Sequence, residues 1–298
     1  MKLGIDFPYP RIGSDPRVYR ALLQEAEGLG FAYATFIDHV LGAEHARREP
    51  PLTMIYDERS SFHEPLTLAA WGAAHTERLE FVTAVLVLAQ RQTALVAKQA
   101  AEVQLLSGGR LRLGVGSGWN HVEYEALGVP FAARGARLEE QVAVMRRLWA
   151  EPLVDVSGRF HRLDRVSMLP TAAAPPVWFG GASRAQEERC ARIGDGFIWE
   201  RRLVELTHGT DADWTLGAGS ELARGVAHVR EQAAALGRDP ASIGHQLGTC
   251  TSPEDVHAVV DRWDALGGTH LTVAVPGEGA ELVGNVAPFA RALGSLLC

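Results

Sequence analysis

The chain has 298 residues, 47% hydrophobic and 22% charged, and 36 acidic side chains against 29 Lys and Arg give a formal net charge of -7. That composition is ordinary for a globular protein, and so acidic a chain lacks the basic stripe that nucleic acid requires. The longest apolar run, residues 81–89, is too short to cross a bilayer.

In chain order, residues 2–7 read as a strand with no secretory signal around it, so a cytoplasmic protein is expected. Asp15-Pro16 then offers a helix cap with proline at the first helical position. Val18, Leu22, Ala26 and Leu29 fall on one face of that helix, and Gly30 stops it. Further short apolar runs lie at 33–38, 79–87, 110–115, 176–179, 196–199, 242–248 and 270–275. Helical patterns separate them, among them Leu138, Val142, Met145 and Trp149. Pro253 opens another through Val256, Val259, Val260 and Trp263, ended by Gly267-Gly268. Gly284 and Pro288 break the stretch 280–297, which predicts a short turn and then a last helix.

Eight strands alternating with helices predict a (β/α)8 TIM barrel, formed as a single domain over residues 1–298. Three loops are long, 40–64, 151–174 and 200–220. The first and third follow strands, which predicts insertions at the C-terminal face, where such barrels carry their active sites. A doubly wound open sheet would use fewer strands and a nucleotide motif near the start.

The stretch GVGSGWN, residues 114–120, raises the question of a phosphate loop. A dinucleotide fingerprint needs G-x-G-x-x-G, but the third position falls on Trp119 or on His121; a P-loop needs a lysine that is absent. What remains is a strand end, Gly116, Ser117 and Gly118, whose bare backbone lies against something flat or packs closely in the barrel. Trp119 and Asn120 directly afterwards are placed to line a substrate pocket. Gly180 and Gly181 end another strand, and Ala182 and Ser183 lead into a helix, an arrangement suited to an anion or to a plain N-cap. A nucleophile elbow is excluded there because G-x-S-x-G lacks its last glycine. Asp38-His39 close the second strand, and strand alternation sends the two side chains apart. His39 stands out among 11 histidines only by its place on the expected catalytic face, where it suits proton transfer. The cysteines, Cys190, Cys250 and Cys298, form no CxxC pair and read as free thiols; no metal motif is present, and none is expected. Arg47, Arg48 and Arg59 form a locally basic rim that is either solvated or attracts an anionic ligand.

Three segments, 76–99, 106–149 and 177–197, resemble the bacterial-luciferase-like oxidoreductases, and the resemblance extends from Leu3 to about Val275. The resemblance implies a (β/α)8 barrel that holds a flavin or deazaflavin at its mouth. It matches Ala84 and Val85 to a bulge with a non-proline cis peptide behind the cofactor, and Gly116, Ser117 and Gly118 to the strand end beside its rings. It matches Gly180, Gly181, Ala182 and Ser183 to a phosphate-binding turn. The Asp38-His39 dipeptide is similar to that of the deazaflavin branch, which implies coenzyme F420 bound near Asp38 with His39 as the catalytic residue. FMN is the alternative cofactor, in a monooxygenase using molecular oxygen. Trp119 stands where the sugar-phosphate dehydrogenases of that branch carry a glutamate, so their substrate is not implied. The family also implies a small-molecule substrate and a homodimer, with no nucleic-acid or membrane partner.

Overall fold

A computed structural model describes residues 1–9, 11–49, 51–52, 56–170, 173–200, 217, 219–249 and 252–297. The loop 200–220 lies mostly outside the described residues, as do Cys250 and Cys298.

Eight parallel strands close on themselves. Strand β1 (Lys2–Asp6) pairs with β2 (Tyr33–Phe36), which pairs with β3 (Glu80–Thr83). A short continuation, β4 (Leu86–Val87), carries β3 onward, and both pair with β5 (Leu111–Gly116). A two-stranded hairpin, β6 (Val154–Ser157) and β7 (Arg162–Val166), stands apart from the barrel. The round then runs through β8 (Val177–Gly180), β9 (Gly196–Glu200), β10 (Gly244–Thr249) and β11 (His270–Ala274) back to β1. Every one of the eight apolar runs is a barrel strand. Strands covered on both faces read as nearly continuous apolar runs, and β2, β5 and β8 are buried at every position.

The helices cover the outside. Helix α1 (Pro16–Gly28) begins at Asp15, whose carboxylate accepts the Arg17 N–H, and buries Tyr19, Leu22, Leu23 and Ala26. Helices α2 (Pro65–Ala73), α3 (Thr93–Leu106) and α5 (Arg134–Ala150) follow, with the short α4 (His121–Ala126) between β5 and α5. Helix α6 (Arg184–Ile193) leads from β8 to β9.

Three expectations need correction. Residues 151–174 are not a plain loop. They hold the β6–β7 hairpin, whose turn is held to α5 by Glu140, which accepts the N–H groups of Arg159, Phe160 and His161. The insertion follows a helix, so alternation of strand and helix alone could not reveal it. The helix expected from Pro253 begins at Val256. Pro288 does not break the last helix (Val286–Leu293) but lies in its first turn, where proline removes no needed hydrogen bond.

Inside the barrel, alternation defines layers. At the base, Arg112 is sandwiched between the rings of Tyr33 and Trp178, its guanidinium carbon 4.7 and 4.4 Å from their centroids. Its Nη1 donates to Gln246 Oε1 at 3.0 Å. The rings occupy space that glycines leave: a Cβ built at Gly4 would lie 2.3 Å from Tyr33, and ones at Gly196 and Gly244 would lie 2.3 and 2.4 Å from Trp178.

Candidate active site

The mouth of the barrel is built on the peptide bond between Ala84 and Val85, which is cis, as the family resemblance implied. This bond separates β3 from β4 and turns Val85 toward the ends of β5 and β8. A Cβ at Gly116 would lie 2.6 Å from Val85 Cγ2, and one at Gly180 would lie 2.6 Å from Val85 Cγ1. Both glycines are therefore required by the two methyls of one valine. Val85 stays partly exposed, so it forms an apolar platform between two glycine strand ends. Gly118 has φ +65, and a Cβ there would meet Val87.

The turn after β5 is held from behind. Tyr124 donates its hydroxyl proton to the Ser117 carbonyl at 2.6 Å, and burial raises the Tyr124 pKa, so the phenol keeps its proton. Gln186 of α6 reaches Ser117 Oγ at 3.4 Å and lies against Gly181, which has φ +137. One buried amide thus links the two glycine-rich turns. Ser183 is the N-cap of α6, yet its side chain makes no capping bond. The first N–H groups of a helix have no partner within it, so this turn presents donors to an anion.

Asp38 and His39 do point apart. The Asp38 carboxylate is buried and accepts from Val87 N at 2.8 Å, Arg91 Nε at 3.1 Å and Arg91 Nη2 at 2.6 Å. Burial raises its pKa, and the Arg91 guanidinium opposes that rise. Arg91 also binds Glu64 Oε1 at 3.0 Å, while Glu64 Oε2 caps α2 through Thr67 N. The Asp38 oxygens brace the end of β2 against β4, and with Glu64 pin both ends of the loop 40–64.

His39 faces a second acid. Its Nδ1 lies 3.0 Å from Glu123 Oε2, with side chains only 8% and 1% exposed. The other Glu123 oxygen accepts the N–H of Val40 at 2.5 Å and of Leu41 at 3.2 Å. An ionised carboxylate only accepts, which assigns the donor role in this pair to Nδ1. The imidazole is boxed by Phe62, Tyr56 and Trp119, with ring centroids 4.7, 5.2 and 5.4 Å away. Trp119 thus stands edge-on to His39.

Asn120 lies nearby but is 3% exposed, and its Oδ1 caps α4 through Val122 N at 3.1 Å. Arg47 and Arg59 are solvated, each with 86% of its side chain exposed. Sequence reading missed Glu123, Arg91, Tyr56, Phe62 and Gln186. Glu123 had a signal, but a misleading one: Asn120-x-x-Glu123 has capping-box spacing, while the carboxylate crosses to the β2 loop instead. Among the described residues, no three His, Cys, Asp or Glu side chains could hold a metal, and no helix is long and apolar enough to cross a membrane.

Residues 8–263 match the family model of luciferase-like monooxygenases. An uncharacterized protein of Mycobacterium tuberculosis is 31% identical over 258 residues, 85% of this chain and 80% of its own length. An F420-dependent glucose-6-phosphate dehydrogenase of Intrasporangium calvum is 34% identical over 180 residues, 58% of this chain and 50% of its own. An FMNH(2)-dependent dimethylsulfone monooxygenase of Pseudomonas fluorescens is 30% identical over 190 residues, 62% of this chain and 48% of its own. The fold superimposes on a monooxygenase from Streptomyces bottropensis with a TM-score of 0.78 at 21% identity, covering 98% of both chains. The eight-stranded barrel, its cis peptide at Ala84–Val85 and the extent of these matches lead to one conclusion: the chain belongs to the luciferase-like monooxygenase family, whose members include F420-dependent and FMN-dependent oxidoreductases.

Proposed function

We propose that this protein is an oxidoreductase that moves a hydride between reduced coenzyme F420 and a C=C, C=N or C=O bond of a small organic substrate. The observation that carries the reading is the His39–Glu123 pair, boxed by aromatic rings just after β2, in a barrel whose β3–β4 join carries the Val85 platform.

The residues present fit such a cofactor. Val85 between Gly116 and Gly180 offers a flat apolar seat, and the N-terminus of α6, with Gly181 and an uncapped Ser183, offers donors for a phosphate. When bound, the deazaflavin supplies the hydride. The chain does the rest. His39 Nε2 delivers or accepts a proton at the reacting bond. Glu123 fixes the imidazole tautomer and steadies the charge that forms on it. Trp119, Tyr56 and Phe62 keep water from the ring. The Asp38-His39 dipeptide favours F420, while relatives using FMN hold the same family barrel. A cytoplasmic homodimer completes the reading, and size-exclusion chromatography tests the dimer.

The cofactor is tested by quenching of protein fluorescence with F420 and with FMN separately. F420 is expected to bind at least tenfold more tightly; tight FMN binding with no F420 binding reverses the choice in favour of a monooxygenase. His39→Ala is expected to lower kcat by about 10²–10⁴ with little change in cofactor affinity. Full turnover by that variant removes His39 from the chemistry.

A further inference from the structure

The mouth holds a second carboxylate that the proposed chemistry leaves unused. Strand β1 alternates, and Lys2, Gly4 and Asp6 face the bore, with Gly4 against the Tyr33 ring. Asp6 ends the strand, in register with Ala274 of β11 and Thr35 of β2. It therefore stands at the level where the bore opens, one step above the ring-filled base.

Its hydrogen bonding is lopsided. Thr35 Oγ1 donates to Asp6 Oδ1 at 2.9 Å. Arg11, the cation acting on it, is committed elsewhere: Nη1 to the Gly277 carbonyl at 2.6 Å and Nη2 to the Val275 carbonyl at 2.8 Å. No described residue bonds Asp6 Oδ2. The residue is only partly buried, so its second oxygen is not sealed inside packed core. Nearby, the Tyr9 hydroxyl is buried with no partner, and Asp6 is the strongest charge acting on it.

We propose that Asp6 is a substrate-contacting residue on the floor of the mouth, its Oδ2 accepting a hydrogen bond from a hydroxyl or amine of the substrate. The substrate class is thus a small organic molecule that carries a hydrogen-bond donor. Burial raises the Asp6 pKa to about 6, which agrees with a carboxyl placed for use and not for stability. An apolar side chain would close the floor without leaving an acceptor half-satisfied. The inference rests on reading the mouth as the substrate site of a redox enzyme.

The test uses benzyl alcohol and benzyl methyl ether, which share the benzyl oxygen but differ in the donor, the ether carrying a methyl in its place; the Asp6→Asn arm separates loss of the donor from the added bulk. Binding is followed by fluorescence quenching with F420 present and absent. The alcohol is expected to bind the natural protein about tenfold more tightly than the ether. In Asp6→Asn the Thr35 bond is kept, but an N–H₂ donor replaces the free oxygen, so the preference is expected to fall below twofold. Thr35→Val leaves the free oxygen in place and is expected to keep the preference. Equal binding of both probes to the natural protein overturns the proposal. So does a preference that survives Asp6→Asn, or one that Thr35→Val abolishes. If neither F420 nor FMN binds while the alcohol preference stands and depends on Asp6, the redox reading fails and the Asp6 contact holds.

Discussion

The two ends of the barrel solve one packing problem in opposite ways. At the base, Gly4, Gly196 and Gly244 make room for whole aromatic rings, and Arg112 lies between two of them. At the mouth, Gly116 and Gly180 make room for the two methyls of Val85. The base is filled by rings, with Arg112 Nη1 bonded to Gln246 Oε1 while Arg112 Nε and Gln246 Nε2 have no hydrogen-bond partner among the described residues. At the mouth Val85 stays partly exposed, Asp6 keeps one oxygen without a described partner, and Glu123 faces the His39 imidazole. Glycine in a strand is not by itself a sign of a ligand. What matters is whether its neighbour fills the space it leaves.

The largest effect is expected at the base. Trp178→Ala removes the ring that packs Gly196, Gly244 and one face of Arg112, and should cost about 3–5 kcal/mol of stability, measured by denaturant unfolding. A loss below 1 kcal/mol would erase the contrast between the ring-filled base and the mouth. Gly180→Ala drives a methyl into Val85 and should cost about 1–3 kcal/mol. Adding Val85→Ala should recover most of that loss in thermal melts, since the clash is with one side chain.

The base is also the acid-sensitive end. Burial, with Arg112, Lys2 and the N-terminus nearby, pushes the His270 pKa down to about 2. The ring is neutral in the folded state and takes a proton more readily when unfolded, so stability should fall as pH drops below the ordinary histidine value of 6.5. The slope from this one group is at most about 1.4 kcal/mol per pH unit. His270→Gln should flatten the unfolding profile between pH 6 and 5; an unchanged slope would place the acid sensitivity elsewhere. The mildest change tests the mouth. Glu123→Gln keeps the shape but sets an N–H₂ donor against His39 Nδ1, which forces the other imidazole tautomer, and should lower kcat about tenfold. Stability measured alongside should change little, which separates tuning of the imidazole from loss of fold.

Much of this protein was legible from its residues. Short, nearly continuous apolar runs marked all eight strands, because strands covered on both faces are largely apolar along their length. Helix α1 was readable from Asp15-Pro16 and its apolar face. The hairpin at 154–166 was not, because its strands are short and largely exposed, as in Arg162–Val166. Pro288 misled because proline is tolerated in a helix's first turn.

The same division runs through the site. The sequence by itself determined the barrel, the strand ends that carry His39, Gly116 and Gly180, and the divergence of Asp38 from His39, because each follows from local periodicity. Only the tertiary structure decided which acid serves which partner. Asp38 went to Arg91, Glu123 crossed 84 residues of chain to His39, and Asp6 kept one oxygen open to the bore. Those pairings depend on where distant strands end in space, and no spacing along the chain encodes that distance.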